Sequence, residues 1–330
     1  MADAPVSGLP AYVEFGLRST MAGPFRSTKG QMRMLLLEGN ANRIESLVER
    51  VLTGPAPGAC AYRPLSRHVL LSVGESLVSS REPPENGWGA VREALAAVWV
   101  PVWAGRKVRD GFEADRLCMC VTHILVDNPI SHAVGRETYG YPKALGRFDP
   151  PSDFLEKPLT IHGFGGDFRP DAQAAWAPVL ELAPTGAPRP AEPDRSSPGE
   201  LVRVLLRELV GPQVVADAEA AARPEVFGGI RLLVGVIREA LQGHMRQVFL
   251  KQFRDATDQH RACHQTVVEG LARTTHVNWR LSAHDWHLTV HGLKSHPIFE
   301  DLGVGTQPAK WSVELREYEF DVDPGTVIGP

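Results

Sequence analysis

Apolar positions along the chain fall mostly in short, dense runs rather than in long helical stripes. Met32–Glu38 (MRMLLLE) has the length and density of a buried strand. The next segment, NANRIESLVERVL, changes period. Ile44, Leu47, Val48 and Val51 fall on one helical face, and Asn40 or Asn42 is placed to cap it. Extended patterns then return at His68–Val73, at Ala94–Trp103 with its β-branched and aromatic ending, and at Leu117–Val126. The last of these is bounded by the turn-prone Asp127-Asn128-Pro129, and a further strand is predicted over Pro158–Phe164. Strand after strand with one helix predicts an antiparallel sheet or barrel rather than a wound βαβ fold.

Near residue 183 the pattern changes. APTGAPRPAEPDRSSPGE reads as a surface linker with little to bury. Helical periods follow in Leu201–Val210, in QVVADAEAAA and in IRLLVGVIREALQGHMRQV. Strand patterns resume with ACHQTVVEG, HVNWRLS, DWHLTVHG and WSVELREYEF. The flanking halves are alike in style, so residues 184–245 are expected to be a helical insertion, packed as helices on the outside of a barrel. The whole chain, 1–330, is then a single α+β domain, mainly β.

Composition narrows the partners. A chain of 330 residues with 43% hydrophobic and 22% charged residues has an ordinary soluble core. A net charge of -4 offers no basic field for nucleic acid or an anionic membrane, and no apolar run reaches the ~20 residues of a spanning helix. Cys60, Cys118, Cys120 and Cys263 show neither CxxC nor metal spacing. With no leader-like N-terminus, they read as reduced thiols of a cytoplasmic protein.

Most familiar catalytic signatures are missing: there is no P-loop, HExxH or GxSxG. GFGGD at Gly163–Asp167 lacks GxGxxG spacing and reads as a hairpin turn. His284, His287, His291 and His296 cluster late, but on a strand only His287 and His291 share a face, so no metal is expected.

GRETYGYPKALG is different. With the preceding Asp127 and Asn128, its Gly135, Arg136, Glu137, Tyr141, Pro142, Lys143 and Leu145 stand at the spacing of a known active-site block. The stretch resembles the active-site segment of the acetoacetate decarboxylase family. Similarity continues in FLKQFRDATDQHRACHQTVVEG and in HLTVHGLKSHPIFEDLGV, and covers roughly residues 12–180 and 245–325. The resemblance implies an antiparallel β-barrel or cone, usually assembled as a homo-oligomer, with no cofactor and a small keto acid as substrate. It implies that Lys143 is the amine that forms a Schiff base. Arg136 and Tyr141 are expected to bind substrate, and Glu93 and Glu137 to shuttle protons. Glu93 lies two residues upstream of the family's position relative to Pro101, a shift that keeps the same strand face.

The chain departs from the family pattern at Ala144, where a second lysine usually helps to keep the nucleophile neutral. Only a neutral amine attacks a carbonyl, and an ordinary lysine is neutral in about one molecule in a thousand near pH 7. Burial lowers that barrier. Lys143 is therefore expected in a cavity, mostly buried, with Arg136 as a possible neighbouring cation and without a carboxylate partner. Three functions are consistent with these residues: decarboxylation of a β-keto acid; aldol, dehydration or cyclisation chemistry on an α-keto acid through the same imine; and non-catalytic binding of a small acid.

Overall fold

The computed structural model describes residues 12–13, 20–56, 58, 60–109, 111–211 and 243–328. Its framework is a wall of long strands. β1 (Phe25–Glu38) lies between β3 (His68–Ser80) and β13 (Trp311–Val322); β3 continues to β4 (Val91–Val108), and β4 to β5 (Gly111–Val126). On the other side β13 pairs with β10 (Ala262–Leu281), which pairs with β9 (His244–Arg254). β9 meets β5 and closes seven strands into a barrel. All these pairings are antiparallel except β5–β9, where Met119 faces Gln247 and Cys120 faces Val248 in parallel. Short β2 (Ala61–Pro64) and β14 (Thr326–Ile328) extend β4 and β10.

A second sheet leaves the barrel at β5. β6 (Lys143–Asp149) runs parallel to β5, and β7 (Leu159–Gly165), β8 (Ala175–Thr185), β11 (Asp285–Val290) and β12 (Gln307–Pro308) follow antiparallel. Because β5 and β6 are parallel, the chain must cross over between them, and it does so through α2 (Pro129–Thr138). This local βαβ unit, like the parallel β5–β9 pair, departs from the antiparallel plan expected from sequence.

Side chains alternate between the two faces of the wall. One face carries Leu35, Leu37, Leu71, Val73 and Val98, packed with Ile44, Leu47 and Val48 of α1 (Ala41–Val48) and with Ile161, Leu180 and Trp286 of the second sheet. Asn40 caps α1, its side chain accepting from the Arg43 amide. The other face gathers Phe25, Ala97, Val121, Ile124, Phe249, Val268 and Val322 against Val134 and Tyr139. It is this second face that holds the site.

Of the helices expected in the insertion, α3 (Pro198–Val210) lies among the described residues, capped by Ser197, whose side chain accepts from the Glu200 amide. Leu205 and Leu209 pack against Leu36, Leu70 and Met119, on the same wall face as the site but toward the far end of β1 and β3. Residues 212–242, where further helices are expected, lie outside the described residues. One boundary differs from the sequence reading: the helical period extended to Val248, yet β9 begins at His244. An amphipathic pattern in HMRQV serves equally as a strand once β10 and β5 offer it hydrogen bonds on both edges.

Candidate active site

Asp127 and Asn128, the first residues of the recognised block, act as a clamp. The Asp127 carboxylate accepts from the Ala94 amide at 2.7 Å and from Arg92 at 3.1 Å. Asn128 caps α2, its Oδ1 accepting from the amides of Ile130 and Ser131 while its Nδ2 donates to the Arg92 carbonyl at 2.8 Å. The backbone on both sides of Glu93 is thereby tied to the first turn of α2, which carries Ser131. Tight turns at 139–142 then bring the chain to β6. Gly140, at φ 85°, lies so close to β9 that an added Cβ would stand 2.4 Å from Lys251 Cα.

Lys143 opens β6, and its side chain, 11% exposed, runs across Gly135 into a cavity of about 90 Å³. The walls are mostly apolar: Phe25, Val78, Val91, Val134, Phe320 and Val322. Its amine donates to Ser131 Oγ at 2.6 Å, to the Ser131 carbonyl at 3.2 Å and to Glu93 Oε2 at 3.3 Å. The Ser131 hydroxyl in turn donates to the same Glu93 oxygen. Tyr141 forms a further wall, 5.9 Å from the amine by its ring centroid, and its hydroxyl donates to Gln247 at 2.5 Å. Burial, with Tyr139 and Glu93 nearby, pushes the Tyr141 phenol up, so it stays a neutral donor. Tyr139, stacked obliquely on Tyr141 with centroids 5.4 Å apart, is pushed up to about 12, chiefly by burial.

No protein-family model matches this sequence, and no curated protein matches it. Solved structures do match the fold. Acetoacetate decarboxylase from Legionella pneumophila subsp. pneumophila str. Philadelphia 1 superposes with a TM-score of 0.57 over 98% of this chain and 93% of its own, at 13% identity. The fold is that of the acetoacetate decarboxylases. An acetoacetate decarboxylase-like enzyme from Sphingomonas wittichii RW1 matches at TM-score 0.52 and 11% identity, covering 93% of each chain. The enduracididine biosynthesis enzyme MppR, solved with the condensation product of pyruvate and imidazole 4-carboxaldehyde, matches at 0.51 and 11%, covering 94% of this chain and 91% of its own.

Within this acetoacetate decarboxylase fold, the residues singled out from sequence separate into two groups. Lys143, Glu93 and Tyr141 line one cavity. Glu137 does not line it; its carboxylate accepts from the Tyr12 hydroxyl. Arg136 is exposed, and its guanidinium donates to the Lys143 carbonyl at 3.0 Å rather than reaching the amine. Arg136 lies on the exposed side of α2 and Glu137 outside the cavity, on a helix with no apolar period in its sequence. The expectation that Lys143 has no carboxylate partner is overturned by Glu93 at 3.3 Å. Ala144 alternates to the other side of β6 and packs against the larger core. A lysine there would point away from the amine of Lys143. Ser131 was missed because a serine after Pro-Ile in a turn carries no catalytic signature; its place three residues after the helix cap was the available signal.

Among the described residues no helix is long and apolar enough to cross a membrane, and no cluster of three or more histidine, cysteine, aspartate or glutamate side chains could hold a metal.

Proposed function

We propose that this protein is a Schiff-base enzyme acting on a small keto acid through Lys143, with Glu93 as its proton acceptor and donor, and that the reaction is decarboxylation of a β-keto acid. The observation that carries the reading is the Lys143 amine inside a small apolar cavity, held by one carboxylate and one hydroxyl. Apolar walls exclude bulk water, so the partners left for the amine's proton are Ser131 and Glu93. Glu93 is where the ammonium proton goes. The freed amine attacks the ketone carbon, the carbinolamine oxygen leaves as water after taking a proton from Glu93, and an iminium remains. The iminium draws in the electron pair of the bond to the carboxylate, carbon dioxide departs, and the enamine is protonated at carbon. Hydrolysis returns the ketone and Lys143. Arg136 in this scheme fixes the start of β6 through the Lys143 carbonyl, and Tyr141 orients substrate along the cavity wall.

Glu93 also favours a second reading. A carboxylate 3.3 Å from the Lys143 amine is near enough, once an iminium forms on that nitrogen, to remove a proton from the carbon next to the imine, and an α-keto acid would then give an enamine able to attack an aldehyde. MppR was solved with a condensation product of pyruvate and an aldehyde. Borohydride trapping with acetoacetate, pyruvate and longer keto acids, read by intact mass and peptide mapping, tests the proposal. Adducts on Lys143 are expected; carbon dioxide release then selects the first reading and aldehyde condensation the second. A protein that is never trapped by any of these acids is not a Schiff-base enzyme.

A further inference from the structure

Three acceptors surround the Lys143 amine, and the nearest of them is not the carboxylate. Ser131 Oγ stands at 2.6 Å, against 3.3 Å for Glu93 Oε2. The Ser131 hydroxyl has one proton to donate, and it is directed to Glu93 Oε2. Ser131 is 7% exposed, and the helix cap at Asn128, whose side chain accepts from the Ser131 amide, fixes its backbone. A chain Nζ–H to Oγ–H to Oε2 therefore exists in one direction, and its first link is shorter than the direct Nζ–Oε2 contact.

We infer that Ser131 is the proton relay between Lys143 and Glu93. This rests on the Schiff-base reading above and adds to it a residue with a defined role. In the forward step the Nζ–H bond breaks, its proton passes to Ser131 Oγ, and the Ser131 proton passes to Glu93. The ammonium and carboxylate become an amine and a carboxylic acid, and the serine is unchanged. The return step runs the other way once the carbinolamine hydroxyl occupies the cavity: Glu93 gives its proton back and water leaves. Of the three protons on the starting ammonium, one remains on the iminium nitrogen and two leave in water, the oxygen coming from the ketone. No other reactant is needed. The Ser131 carbonyl, 3.2 Å from the amine, holds the nitrogen in line without accepting its proton.

The test compares wild type, Ser131→Ala and Ser131→Thr in single-turnover borohydride trapping with whichever keto acid labels the wild type. For Ser131→Ala the expected result is a fall of roughly 10- to 100-fold in the rate of imine formation near neutral pH, the lower range of general acid–base contributions. The deficit should narrow as pH rises, because solvent hydroxide takes over the deprotonation. Ser131→Thr, which keeps the hydroxyl, should restore most of the rate. Equal rates and pH profiles for wild type and Ser131→Ala would overturn the relay while leaving Lys143 as the nucleophile. Absence of wild-type trapping would instead overturn the Schiff-base reading itself. If circular dichroism shows Ser131→Ala to be misfolded, the solvent deuterium isotope effect on the wild-type trapping rate decides: a clear normal effect with more than one proton in flight supports the relay, and a single proton removes it.

Discussion

Gly135 lies directly beneath the side chain of Lys143: a Cβ placed on it would stand 2.7 Å from Lys143 Cε, 2.8 Å from Cδ and 3.1 Å from Nζ. The pair accounts for a glycine at this position of the chain. α2 can approach β6 this closely only where it presents no side chain. Gly135→Ala should push the lysine stem aside and draw the amine away from Ser131 and Glu93. The stem is flexible, so the stability cost should be at the low end of overpacking, about 1 kcal/mol, whereas imine formation should drop at least about tenfold. Paired urea melts and borohydride trapping check this. Unchanged trapping would mean that the amine does not need the geometry seen here.

Lys143 and Glu93 should also reveal themselves in stability. Lys143→Met removes one partner of a buried pair and leaves the Glu93 carboxylate with Ser131 alone. Uncompensated buried charge of this kind costs about 3 to 5 kcal/mol, reduced here by the remaining hydroxyl. The double variant Lys143→Met/Glu93→Gln should recover a substantial part of that loss, because nothing charged is then stranded. A double variant no more stable than Lys143→Met would show that the pair is not electrostatically coupled.

His132 supplies the pH dependence. It shares a turn of α2 with Arg136, and burial together with Arg136 and Lys143 holds its imidazole below the ordinary histidine value, against the hydrogen bond the ring donates to the Lys143 backbone carbonyl. The unfolded chain takes up a proton near pH 6.5, whereas the folded protein does so only at lower pH. Its contribution to stability is therefore present above about pH 6.5 and is lost as the pH falls through the lowered folded value. His132→Gln should flatten this part of the acid limb. Thermal melts of both proteins from pH 7.5 to pH 5 measure it, and parallel curves would remove His132 from the account.

Much of this arrangement was legible in the sequence where local pattern and global fold agree. The run Met34–Leu37, the helix capped by Asn40 and the strand ending at Val126 all appear where their periods place them, because each has one buried face set by alternation or by a 3.6-residue turn. Lys143 and Glu93 were found by the block and by strand parity, and the structure brings them to one cavity. What could not be read was α2. Its ten residues include a proline, a serine, a threonine and a glycine, poor helix formers in aggregate, and it exists because a parallel β6 requires a crossover and Asn128 starts it. Without the helix, nothing in the sequence separates Arg136 and Glu137 from Tyr141 as candidates for the site. The pairing of Glu93 with Ser131 was hidden for the same reason, being a contact between residues 38 positions apart.

Arg33 offers a prediction on the other face of the wall. It is fully buried on β1, its guanidinium lies 3.3 Å above the centre of the Trp286 ring, and among the described residues none of its three nitrogens has a hydrogen-bond acceptor. Its cross-strand neighbour Glu314 is already held by Arg280 at 2.8 Å and Ser282 at 3.1 Å. Burial lowers the guanidinium from its ordinary value, and Glu314, Asp153 and Glu156 pull only partly the other way. Two effects compete when Arg33 becomes methionine. Loss of the desolvated contact with Trp286 costs about 2 kcal/mol. Replacing a buried charge with an apolar side chain of similar volume is stabilising by up to about 4 kcal/mol, and with all three nitrogens unsatisfied the gain here falls in the upper part of that range, about 3 to 4 kcal/mol. The second effect is larger, so Arg33→Met should raise the unfolding midpoint, by about 1 to 2 kcal/mol in stability. Arg33→Ala, which leaves a void beside Trp286, should lower it. Urea titrations of the three proteins decide the matter: a destabilised Arg33→Met would mean that attraction to Glu314, Asp153 and Glu156 outweighs the cost of burial.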